Sequence, residues 1–137
     1  MKNKFIRLHT SENNNVVIVN IDSISIVDSN NKDNRNCSTI YTDAGTNMEE
    51  FTVNESVEKI YSLLENKNKF IRLHTSETNN IIIVNTDYIS IIDSNTKDGK
   101  NRSTIYTDSR TNMEEFTVNE SAERIYITIE ELYKEES

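Results

Sequence analysis

Residues 2 to 66 and residues 67 to 131 can be laid on each other without an insertion or deletion, at a constant offset of 65, with 47 identities. An internal repeat of this closeness constrains the fold more than any other property of the chain, because both copies must satisfy the same pattern. The longest shared stretch, Thr46 to Ser56, recurs unchanged from Thr111 to Ser121. Phe51 and Val53 alternate as a strand face does, and Val57, Ile60, Tyr61 and Leu64 follow at the helical spacings i, i+3, i+4 and i+7. The period changes at Asn54, where Asn54 or Ser56 can cap the first turn and Glu55 and Glu58 put negative charge at the positive end of the helix. Most differences between the copies are apolar exchanges, such as Val16 to Ile81, Val17 to Ile82 and Val27 to Ile92, which conserve a common core.

Each copy reads in the same order. Phe5 to Thr10 alternates as a half-buried strand, and Ser11 to Asn15 is turn chemistry in which Asn tolerates the left-handed conformation. Val16 to Val19 is β-branched throughout, the pattern of a central strand covered on both faces. Ser23 to Asp28 alternates again, Ser29 to Asn36 is a polar loop, and Ser38–Thr42 with Met48–Val53 form a second hairpin before a helix from Glu55 to Glu65. The fold class is therefore α+β: two tandem units of about five short antiparallel strands, each closed by one C-terminal helix. The unit boundaries fall at 1–66 and 67–137, the second unit having the longer helix, through Ile125, Ile129, Leu132 and Tyr133. A unit of this size buries only about 60% of its unfolded surface, so the copies are expected to pack together as a pseudo-two-fold dimer within the chain. A larger homo-oligomer stays open.

The formal charge is −8 over 137 residues, which disfavours sequence-independent attraction to nucleic acid and suits a basic protein partner. Cys37 is the single cysteine and is Arg102 in the second copy, so no disulfide or zinc framework exists within one chain. No apolar run approaches the roughly 20 residues of a membrane span, and the expected location is the cytoplasm.

The series Phe5-Ile6-Arg7-Leu8, Val19-Asn20-Ile21-Asp22-Ser23-Ile24, Ser38-Thr39-Ile40-Tyr41 and Phe51 to Ile60, with its repetition from Phe70 to Ile125, resembles the small FlbD-like proteins named for a flagellar and swarming-motility regulator. The resemblance covers almost the whole chain twice, and implies a small β-rich module with one helix, without catalytic residues or cofactor. The phage and prophage members of that group imply a regulator, or an inhibitor of a host defence system such as CRISPR interference.

The residues offering chemistry are few. Arg7 and His9, with Arg72 and His74, share a strand face and could clamp a carboxylate, a phosphate or a partner loop, or pair with a nearby acid such as Glu50 or Asp28. A metal would need a third ligand. Tyr41 and Tyr106 lie opposite Ile40 and Ile105 on their strands, where they could stack on a base or insert into a partner. Glu49, Glu50, Glu114 and Glu115 form acidic clusters that solvate the surface or imitate phosphates. With no phosphate-cradling loop and no nucleophile–base pair, an enzyme is not expected. The leading expectation is a non-enzymatic inhibitor that occludes a host effector protein. The alternatives are a sponge for an anionic nucleotide, and a motility-type nucleic-acid regulator drawing on Lys2, Lys4, Arg7, Lys67, Lys69 and Arg72.

Overall fold

A computed structural model describes residues 4–30, 36–43, 48–64, 69–95, 99–108 and 113–134. The strands are β1 (Phe5–His9), β2 (Val16–Asn20), β3 (Ile24–Asn30), β4 (Cys37–Thr42) and β5 (Glu50–Val53), followed by α1 (Val57–Leu64). The order then repeats as β6 (Phe70–His74), β7 (Ile81–Asn85), β8 (Ile89–Asn95), β9 (Arg102–Thr107), β10 (Glu115–Val118) and α2 (Ala122–Lys134). The expected α+β class, with antiparallel sheets and two helices, is what the chain adopts. The long polar loop expected from Ser29 begins later, since β3 continues to Asn30, and residues 31–35 lie outside the described residues. Residues 44–47, 65–68, 96–98, 109–112 and 135–137 also lie outside them.

Local chemistry explains the joints. Asn14 and Asn79 take positive φ values of 54° and 58° in the β1–β2 and β6–β7 turns, the conformation Asn accepts most readily among residues with a Cβ. Asn20 caps a one-turn 3₁₀ helix, Ile21–Ser23, by accepting the Asp22 N–H, and Asn85 does the same for Asp87. Of the two candidates for capping α1, Ser56 takes the role: its Oγ accepts the Lys59 N–H at 3.1 Å. Asn54 instead donates from its side chain to Asn14 Oδ1 at 2.9 Å and ties the first hairpin turn to the helix entry.

The strands form a two-stranded sheet β1–β2, a five-stranded sheet β5–β4–β3–β7–β6 and a three-stranded sheet β10–β9–β8. The central sheet is made by β3 and β7 pairing antiparallel, Ile26 opposite Val84, Val27 opposite Ile83 and Asp28 opposite Ile82. This pairing corrects the pseudo-two-fold expectation. A two-fold axis would also pair β2 with β8, yet among the described strands β2 pairs only with β1 and β8 only with β9. The contact is heterologous, joining unlike strands of the two repeats.

Val16–Val19 is likewise not a central strand. On β2, Val16 and Ile18 are exposed, and among the described strands none pairs with its second edge. The matching β7 is the covered one, with Ile82, Ile83 and Val84 fully buried. Two cores result, and each borrows from the other half. Phe70 and Ile83 join the cluster of Leu8, Ile24, Val27, Ile40, Ile60 and Leu64, while Ile26 and Tyr41 join that of Ile71, Leu73, Ile82, Ile105, Val118 and Ile125.

Candidate functional site

The end of β1, the β1–β2 turn and the entry to α1 meet at one place in the first half, and their counterparts meet in the second. His9 donates its backbone N–H to Glu55 Oε1 at 3.0 Å, and its ring Nδ1 lies 2.7 Å from Glu55 Oε2. Asn54 N–H returns a bond to the His9 carbonyl at 2.8 Å. His74, Glu120 and Asn119 repeat this arrangement, with the same 3.0 Å and 2.7 Å separations from the carboxylate. Burial pushes the Glu55 carboxyl up, but the His9 ring and backbone hydrogen bonds outweigh it and hold the group below its ordinary value. Both histidines are thus fastened to the strand–helix joint. Sequence reasoning placed Glu55 at the helix terminus and missed it as the histidine's partner, because the two lie 46 positions apart.

The other candidates scatter. Arg7 and Arg72 are both exposed, but Arg72 also stands over the Tyr61 ring, 5.0 Å from its centroid, so the two copies do not present the same arginine surface. Neither arginine forms an ion pair with Glu50 or Asp28 among the described residues. Tyr41 is buried, contrary to the expectation of an exposed stacking residue, because β7 brings the second core over that face of β4. Burial pushes its hydroxyl up to about 12, with Glu50 and Asp28 adding to the effect. Tyr106, on β9, stays partly exposed. Glu50, Glu114 and Glu115 are exposed and Glu49 half-buried, on the strand ends beside those tyrosines. Cys37 is buried. Among the described residues no group of three His, Cys, Asp or Glu is placed to hold a metal.

Of the basic stripe, Lys2 and Lys67 lie outside the described residues. Lys69 is engaged by Asp22, with Asp87 at 3.9 Å, and holds the Asp22 carboxyl below its ordinary value. Lys4 and Arg7 remain exposed. Three other described cations lie on or beside the elements that the strand–helix joint of the second half connects. Ser103 Oγ donates to the Glu120 carbonyl at 2.8 Å, which ties the start of β9 to the entry of α2. Lys100 and Arg102 lead into that strand, and Arg124 follows in the first turn of the helix capped by Ser121. Lys100 and Arg124 are exposed and Arg102 half-exposed. In the first half the corresponding residues are Arg35, Cys37 and Lys59. No helix among the described residues is long and apolar enough to cross a membrane.

No family model and no curated protein matches the sequence. Among solved structures the fold is similar to the LytTr DNA-binding domain of a protein described as a methyl-accepting/DNA response regulator from Bacillus cereus. The TM-score is 0.60 at 17% identity, over 93% of this chain and 97% of that one. Of the FlbD-like expectation this supports a small β-rich fold, and neither the flagellar family nor a phage origin. It overturns two other expectations, the inhibitor that occludes a host effector protein and the reading of nucleic acid as an unlikely partner: the fold matched along nearly all of both chains is that of a DNA-binding domain.

Proposed function

We propose that this chain is a non-enzymatic regulator module that binds double-stranded DNA. The observation that carries the reading is the likeness to a DNA-binding domain, which takes in almost the whole of each chain. The acidic balance of −8 sets how such binding would work. Repulsion from phosphates weakens sequence-independent affinity, so binding relies on a local basic surface and on contacts to base edges. Lys100, Arg102 and Arg124, on elements tied together by the Ser103–Glu120 bond, are the residues that supply such a surface.

The test is selection from a random duplex pool at low salt, followed by fluorescence anisotropy on the enriched sequence across a salt series. A preferred duplex should emerge. The Lys100→Ala/Arg102→Ala/Arg124→Ala variant should bind it more weakly, with the slope of log K against log salt reduced by about 2–3, close to one for each lost phosphate contact. Failure to enrich any duplex would overturn the reading, and an unchanged salt slope would overturn the assignment of these three residues.

A further inference from the structure

The contact between β3 and β7 is made once in the chain, yet the repeat supplies the parts for it twice. Its donor side is the β6–β7 hairpin and its acceptor side is β3 with α1. The counterpart of the donor is the β1–β2 hairpin, and that of the acceptor is β8 with α2. Both counterparts stand open. On the outer face of β2, Ile18 is 57% exposed, where its counterpart Ile83 is fully buried. On β8, Ile91 is 59% exposed, where its counterpart Ile26 is fully buried. Tyr126 and Ile127 of α2 are also exposed, and they line an apolar groove with Ile92 and Ala122. Among the described strands, β2 and β8 each leave one edge unpaired, in different repeats of one molecule, and each is flanked by exposed aliphatic side chains.

We propose that molecules of this chain join end to end, the β1–β2 hairpin of one adding to β8 and α2 of the next. Shifting the β3–β7 register by the repeat offset of 65 gives the new ladder: Ile91 opposite Val19, Ile92 opposite Ile18 and Asp93 opposite Val17. The accessory contacts carry over as well. Asn85 donates its side-chain amide to the Ile24 carbonyl at 2.8 Å and Ser29 its hydroxyl to the Ile81 carbonyl at 2.7 Å. Their counterparts are Asn20 toward Ile89 and Ser94 toward Val16. The Arg72–Tyr61 stack becomes Arg7 on Tyr126, both exposed in the single molecule, and the Lys69–Asp22 ion pair becomes Lys4 with Asp87. One contact is lost: the Tyr88 hydroxyl, which donates to Asp43 at 2.7 Å, has Ser23 at its counterpart. Because the two surfaces differ, the association is head-to-tail and builds rings or open chains of molecules. The inference does not depend on what the chain binds.

Light scattering after size exclusion tests this over a concentration series. The parent chain should rise in mass with concentration, in multiples of the 15.9 kDa chain. Ile18→Lys places a charge on the donor edge and Ile91→Lys on the acceptor edge, so each variant alone should remain a monomer. An equimolar mixture should then form a dimer of twice the chain mass and nothing larger, since it contains one intact donor and one intact acceptor. That complementation also shows that both variants are folded. A parent chain that stays monomeric throughout would overturn the proposal, as would variants that assemble like the parent or a mixture that fails to form the dimer.

Discussion

Asp28 lies on β3 where β7 joins it, facing Thr39 on one side and Ile82 on the other. Burial pushes its carboxyl up to about 6, against a partial opposing effect of the Ser29 N–H. Because the folded value lies above the ordinary 3.8, folding takes up protons. The stabilisation this gives is complete below the unfolded value and is lost as pH rises through about 6. At neutral pH the ion therefore opposes folding. Asp28→Asn removes the ion at nearly constant shape, and it should raise the urea midpoint at neutral pH. The gain should shrink on acidification toward about pH 4, as the parent's own carboxyl becomes neutral. Equal gains at both pH values would show that the Asp28 charge is not the cause. Glu55 has the opposite sign: its depressed value means that the stability it contributes is present at neutral pH and is lost only as pH falls through that depressed value.

β2 and β7 show how far an element's character depends on what covers it. The two strands are nearly the same in sequence, Val-Val-Ile-Val-Asn and Ile-Ile-Ile-Val-Asn, and both read as a central strand. Ile83→Ala should cost about 2–5 kcal/mol, because it opens a cavity between β7 and the first core. Ile18→Ala, the same change at the same place in the repeat, should cost less than about 0.5 kcal/mol in dilute solution, because Ile18 already faces solvent. Chemical denaturation of the two variants measures the difference, and comparable losses would show that the outer face of β2 is covered. The contrast marks what was legible in the sequence. The strands, the Asn turns and the α+β class follow from local periodicity and appear where expected, while the helix expected from Glu55 begins at Val57 behind its Ser56 cap and leaves Glu55 to bond His9. The choice of which hairpin crosses to the other half does not, because identical side-chain patterns are compatible with either. The same holds for the histidines: their strand was legible, but the Glu55 and Glu120 partners come from residues distant in sequence. Arg102, the substitution of Cys37, was visible as a change of chemistry, while the bond that ties its strand to the α2 entry, from Ser103 to Glu120, needed the fold.

At the scale of the whole molecule, the exchange of side chains between the halves fixes how the chain unfolds. The first core is closed by Phe70 and Ile83 of the second half, and the second core is closed by Ile26 and Tyr41 of the first. If the β3–β7 ladder opens, both cores lose fully buried side chains at once, and the Asn85 amide and the Ile24 carbonyl lose each other as partners. A unit of about 65 residues is marginal even with an intact core, so neither half has the stability to persist through that loss. The chain should therefore melt in one transition. In differential scanning calorimetry, at a concentration low enough to keep molecules separate, the calorimetric and van't Hoff enthalpies should agree within error. Two resolved peaks, or a van't Hoff enthalpy near half the calorimetric one, would mean that each repeat holds its own core, and that the central sheet joins two folded bodies without making them one cooperative unit.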